Sequence, residues 1–464
     1  MNELIFSSAT TLAQAIRDRE ISSEELVKAY LARIEAANPQ INAVVQLRAE
    51  GALAEARAYD AALARGQIKG PLHGVPMTVK DSLETAGVIS TSGTVVRADF
   101  VPTRDAVPVA RMQAAGAIML GKTNLPELLM GLESDNLIYG RTNNPFDLTR
   151  TCGGSSGGEA AAQAAGFSAI GLGSDTGGSV RIPAHFCGVA GIKPTTGRVA
   201  RTGQFPPYGG LTDRMSQVGI LARKVEDLVL GLPLISGVDW QDQSVVPMPL
   251  GDPRSVGIKG LRVSFHTDNG LAAPTPETVA AVQAVARLLA DAGAGVEEKR
   301  PPALEETLEI ALPLLVPEGG NTFPSRMKPL GLHPGNVSPL LLGFIKLRKE
   351  EPSLTIPEIV GLMARWDRFR ATMLGFIQDY DVIISPACAG PAMRHGETLE
   401  NIGAFSYAMT YNLTGWPVVI VRAGTSPEGL PIAVQVIAQP WREDVALAVA
   451  QHIESQLPFS FPAW

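Results

Sequence analysis

Short apolar runs with strand character alternate with stretches of helical periodicity along the whole chain, and this alternation limits the fold more than any other feature. Runs over 41–45, 72–80, 117–120 and 169–172 are too short for helices and are bounded by turn residues. Helical spacing marks 50–64, 107–115 and 159–165 between them, and Asp105 sits where it would cap the second. Upstream, Ser22 and Glu25 form a capping box for a helix carrying Leu26, Val27, Tyr30, Leu31 and Ile34, which Asn38-Pro39 is expected to end. Strands return at 261–265, 382–385, 418–421 and 432–437, with helices over 276–292 and 443–454. Such alternation specifies an α/β protein with a parallel or mixed sheet.

From 239 to 254 the chain is polar and proline-rich, which predicts a surface excursion. Helical pattern broken by Pro and Gly follows between 304 and 371. Its most apolar piece, 340–345, reads as a core helix, with a cap over a cleft or a membrane-touching patch as the alternatives.

Composition then excludes several classes. Hydrophobic residues make up 45% of the 464, enough for a large core, and charged residues 18%, too few for a disordered chain. Net charge is −7 without any Lys/Arg-rich run, so nothing predicts nucleic-acid binding. Cys152, Cys187 and Cys388 form no disulfide framework and have no metal-ligand spacing, which fits a reducing, cytoplasmic setting. The N-terminal residues lack the pattern of a signal peptide, and no apolar run approaches the ~18 residues of a membrane span.

Chemistry concentrates in two Gly/Ser clusters. The first is Thr151-Cys152-Gly153-Gly154-Ser155-Ser156-Gly157-Gly158. A phosphate-binding loop needs Lys and then Ser/Thr after its glycines, and Glu159 stands there instead, which leaves an active-site loop as the stronger reading. The second, Asp175-Thr176-Gly177-Gly178-Ser179-Val180-Arg181, follows an apolar strand. A turn there exposes the Ser179 hydroxyl and lets the N–H groups of Thr176, Gly177, Gly178 and Ser179 converge, as an oxyanion hole requires. A serine nucleophile needs a base. His185 is close in sequence, but Ser179 lacks the G-x-S-x-G elbow, and S-x-x-K is absent at both serines. Lys80, at the end of an apolar run, would lose proton affinity if buried and could then act as base; its bland alternative is a salt bridge with Asp81.

Taken together, Pro71-Leu72-His73-Gly74-Val75-Pro76 through Lys80-Asp81, the Gly153–Gly158 cluster and the Asp175-to-Pro183 segment resemble the amidase-signature family in order and spacing. Gly121-Lys122-Thr123-Asn124, Phe186-Cys187-Gly188, Gly191-Ile192-Lys193-Pro194-Thr195, Gly415-Trp416-Pro417 and Leu430-Pro431-Ile432-Ala433-Val434-Gln435 fit as well, and the likeness is weakest over about 239–380. The resemblance implies one three-layer α/β/α domain over 1–464 with a central mixed sheet and a variable helical or cap excursion at 239–380. It implies an amidohydrolase with Ser179 as nucleophile, Ser155 as bridging serine after a cis Gly154-Ser155 peptide, and Lys80 as base. Asp175, Arg181 and Ser156 become supports of the triad, and Leu129, Met130 and Gly131 substrate contacts. Cys152 departs from the proline common at its position. Neither metal nor cofactor is implied. The substrate would be a small amide, with esters, anilides and carbamates open to the same chemistry, and a homodimer is left open. Two rivals remain: an amidotransferase subunit that needs a partner, and a non-catalytic phosphate or nucleotide binder.

Overall fold

The computed structural model describes residues 4–207, 209–319, 323–348 and 351–462. Eleven strands form one sheet: β1 (Val44–Leu47), β2 (Pro76–Lys80), β3 (Ile118–Thr123), β4 (Ile170–Asp175), β5 (Ala190–Lys193), β6 (Gln217–Ala222), β7 (Arg262–Phe265), β8 (Gly295–Glu298), β9 (Val382–Pro386), β10 (Val418–Thr425) and β11 (Pro431–Ala438). Their order is β1-β3-β2-β4-β6-β5-β10-β11-β9-β7-β8. The trios β3-β2-β4 and β9-β7-β8 are parallel and the remaining pairs antiparallel, so the sheet is mixed. Strands from both ends of the chain thus share it, and two of them come from within 239–380.

Helices cover both faces. Successive residues of a strand point to opposite sides. Ile170 faces Gly231 of the helix Val225–Ile235, where a Cβ would come within 3.0 Å of it, whereas a Cβ on Gly171 would run into the Glu159 carboxyl of the helix Gly157–Ala165. The three-layer α/β/α arrangement follows. Beyond one end of the sheet, the helices Thr307–Leu315, Pro339–Ile345 and Ile356–Ile377 build two smaller apolar clusters. The 340–345 segment is indeed a helix with Leu341, Phe344 and Ile345 buried, and it also walls a cavity. No helix among the described residues is long and apolar enough to cross a membrane.

Two local expectations need correction. The capping box forms, with Ser22 Oγ accepting from Glu25 N–H and Glu25 accepting from Ser22 N–H. The helix then runs Ser23–Ile41 straight through Pro39, and the strand begins at Val44. Pro39 lies within the last turn, where its missing N–H forfeits a single bond, and Asn42 in the left-handed region ends the helix instead. Asp105 caps nothing: it accepts from Ala86 N–H, and the helix Val107–Ala114 starts with Pro108 in its first turn.

Candidate active site

Lys80 is the last residue of β2 and is fully buried. Its Nζ lies 2.7 Å from Ser155 Oγ, 2.9 Å from Ser156 Oγ and 3.1 Å from Ser174 Oγ. The Ser156 hydroxyl donates to the Ser174 carbonyl, so its oxygen must accept from Lys80. Nζ also lies 3.5 Å from the Ser174 carbonyl, so oxygens surround it, and a neutral amine there can donate to some of them while its lone pair is free to accept from a hydroxyl. No carboxylate touches Nζ among the described residues, and Asp81 turns away to accept from Thr91, which removes the salt-bridge alternative. Burial drives the Lys80 amine well below the ordinary lysine range, with Asp175 and Glu159 pulling the other way from a distance.

Ser155 follows a cis peptide, Gly154-Ser155. Its loop is tied down by the Ser134 hydroxyl, which donates to Gly153 O and accepts from Gly157 N–H. Gly158 N–H donates to Asn124 O and Ser156 N–H to Ser179 O. The amides that would cradle a phosphate at the start of this helix are therefore already engaged, which removes the basis of the phosphate-binder reading.

Ser179 lies alongside, its main chain held by that Ser156 bond and its hydroxyl without a hydrogen-bond partner among the described residues. The hydroxyl opens into a cavity of about 230 Å³. Catalytic hydrogen bonds are often incomplete before substrate binds, so the missing Ser155–Ser179 contact is compatible with a relay. Of the expected oxyanion donors, Gly178 N–H is already spent on Asp175 Oδ1. The N–H groups of Thr176, Gly177 and Ser179 have no acceptor among the described residues and remain available. Gly178 serves the turn differently: its φ of +104° suits glycine, and a Cβ would come within 2.8 Å of Ala408 Cβ.

Asp175 and Arg181 support this turn from below and are both fully buried. They pair through two bonds of 3.0 Å. Arg181 also donates to Ala408 O, Gln435 Oε1 and Asn412 Oδ1, while Asn412 donates to Asp175. Burial opposes the Asp175 charge, yet Arg181 and Asn412 hold its carboxyl far below the usual range. Truncating either partner strands the other. Arg181→Ala is expected to cost about 3–5 kcal/mol of stability, read from the urea midpoint, whereas a loss below about 1 kcal/mol would contradict this account.

The structure also separates residues that lie close in sequence. His185 is far from a base role: its Nδ1 accepts from Ala433 N–H, its Nε2 lies 3.0 Å from Gly390 O, and burial lowers it to about 4. Leu129, Met130 and Gly131 line the cavity beside Ser179. Leu128 and Leu129 both hold positive φ, at 53° and 65°, a costly conformation for leucine that fixes this wall. Cys152 is buried and its thiol is pushed up to about 12, so it packs rather than reacts. Sequence reasoning gave no role to Ser174 or Gln435, although both stand in motifs, and missed Asn412 and the cavity wall made by Leu315, Phe344 and Met409. Among the described residues no cluster of three His, Cys, Asp or Glu could hold a metal.

The family model described as Amidase matches residues 25–447. The chain is 36% identical over 484 residues to a glutamyl-tRNA(Gln) amidotransferase subunit from Moorella thermoacetica, covering 98% of each. It is 34% identical over 490 residues to fatty-acid amide hydrolase 2-A of Danio rerio, covering 100% of this chain and 90% of that one. A solved structure of 6-aminohexanoate cyclic dimer hydrolase with substrate superposes with a TM-score of 0.86 at 30% identity, over 98% of both chains.

Proposed function

We propose, from the premise that this chain belongs to the amidase family, how its residues carry out amide hydrolysis and on which amides. It is an amidohydrolase acting on carboxylic amide C–N bonds. The observation that carries the mechanism is a fully buried amine, with no carboxylate in contact among the described residues, 2.7 Å from a serine hydroxyl. Neutral Lys80 takes the Ser155 proton as Ser155 takes that of Ser179. Ser179 Oγ attacks the carbonyl carbon, and the developing oxyanion meets the N–H groups of Thr176, Gly177 and Ser179. The C–N bond breaks as the proton returns through Ser155 to the leaving nitrogen. Water then attacks the acyl-Ser179 ester by the same relay and releases the acid. We read 1–464 as one amidase domain in which the helices of residues 307–377 form the variable wall.

Substrate class follows from the lining of the cavity. Leu128, Met130, Leu132, Leu315, Phe344 and Met409 surround Ser179, and no charged side chain joins them among the described residues. A zwitterionic amino-acid amide would bury two charges there without partners, at a cost of several kcal/mol. An uncharged apolar or aryl acyl group loses nothing. This favours direct hydrolysis of hydrophobic amides, with esters, anilides and carbamates within the same chemistry, over an ammonia-donating role in an amidotransferase. The purified chain is expected to cleave uncharged aryl and alkyl amides with kcat/KM about 10²-fold or more above glutamine. Mass spectrometry of a trapped acyl-Ser179 should identify the bound half. Activity toward glutamine alone, and only with a partner protein, would reverse the assignment.

A further inference from the structure

Close to the Lys80 amine the structure buries a carboxyl group that the mechanism above leaves unused. Glu159 is the third residue of the helix Gly157–Ala165 and is fully buried. Its Oε1 accepts from Thr78 Oγ1 and from Gln163 Nε2 at 2.9 Å, and its Oε2 accepts from Thr123 Oγ1 at 2.9 Å. Thr78 stands two residues before Lys80 on β2, so both side chains leave the same face of the sheet. The next strand makes room for the carboxyl by having glycine opposite it: a Cβ on Gly171 would come within 1.8 Å of Oε1.

Three neutral donors hold this group, and no cation touches it among the described residues. Burial pushes Glu159 up to about 7, against those donors and the field of Lys80. The charged groups felt by Lys80 are Asp175, on β4, and Glu159. Asp175 is already matched by the bidentate Arg181 guanidinium. Glu159 has no such ion pair among the described residues, and the cation whose field acts on it is Lys80.

We propose that Glu159 is a positioning residue for the Lys80 amine, the buried counter-charge that lets this amine hold the proton it receives from the serines. The inference rests on the reading of Lys80 as base. During attack the Ser179 O–H bond breaks, the Ser155 proton moves to Nζ, and an ammonium forms where no carboxylate touches it. Glu159 offsets that charge through space, and the charge vanishes again when the proton passes to the leaving nitrogen. Because the carboxyl is clamped by Thr78, Thr123 and Gln163, it cannot swing over and tie the amine up in a salt bridge. The amine stays beside Ser155, 2.7 Å from its hydroxyl.

The test is the pH dependence of Ser179 labelling by a fluorophosphonate, measured from about pH 5 to 10 on wild type, Glu159→Gln and Glu159→Asp, with thermal melts as the check on folding. Without the counter-charge the amine gives up its proton more easily. The acid limb of Glu159→Gln is therefore expected at lower pH, with a plateau rate about 10-fold down because the base is weaker. Glu159→Asp withdraws the charge by one methylene and is expected to shift the limb in the same direction, but less. It also decides the matter should the glutamine variant fail to fold. A purely structural role would lower the melting temperature and leave the limb in place. Limbs superimposing on wild type in the folded variants would overturn the proposal. A wild-type protein that resists labelling at every pH would instead overturn the parent reading of Ser179 and Lys80.

Discussion

Replacing Ser179 with alanine is expected to lower kcat on the order of 10⁴-fold or more while leaving the fold intact. The hydroxyl has no hydrogen-bond partner among the described residues and faces the cavity, so deleting it breaks no internal contact. What shapes the turn is main chain: Gly178 N–H and Val180 N–H on Asp175, and Ser156 N–H on Ser179 O. The variant should therefore melt with wild type, bind uncleaved amide with similar affinity, and gain no mass with a fluorophosphonate. Full turnover in this variant, or labelling at another residue, would end the assignment of the nucleophile.

Lys80→Met should be nearly as damaging, about 10²–10⁴-fold, since it removes the base while keeping an unbranched chain of similar length. The pH dependence carries a sign that can be checked independently. Only the uncharged amine accepts a proton, so wild-type kcat/KM should climb with rising pH through one acid limb, and that limb should vanish in the methionine variant. Burial lowers the folded-state value below that of the unfolded chain. Between those two values the unfolded chain binds the extra proton, so this group makes stability increase with pH. Urea titrations at several pH values should show that slope in wild type and lose its lysine contribution in Lys80→Met. A variant that keeps the wild-type acid limb would contradict the role given to Lys80.

How far the sequence revealed all this depends on distance along the chain. The α/β class was legible because strand and helix periodicities alternate from residue 44 to residue 456. The three residues that converge around Nζ and the neighbouring turn were legible because each sits in a compact motif whose residue types have a chemical reason. Ser174 was given no role because it stands inside the strand before the turn, although it contributes an acceptor to Lys80. Asn412 and Gln435 escaped because their partner, Arg181, comes from a distant part of the chain. Gly178 was miscounted as an oxyanion donor because nothing local reveals that the Asp175 side chain folds back to take its N–H. Pro39 misled for the opposite reason: a local rule about helix breaking ignores how little a final turn loses.

One consequence lies in the order of synthesis. The acceptors that seat the Arg181 guanidinium arrive 227, 231 and 254 residues after it. Chains emerge N-terminus first. A ribosome-tethered chain therefore displays Lys80 and both serines long before the pieces that seal the ion pair beneath them exist. Until β11 closes against β10, that guanidinium faces water and the turn above it has no floor. The last strands to be made are thus the ones that complete the support beneath the Ser179 turn.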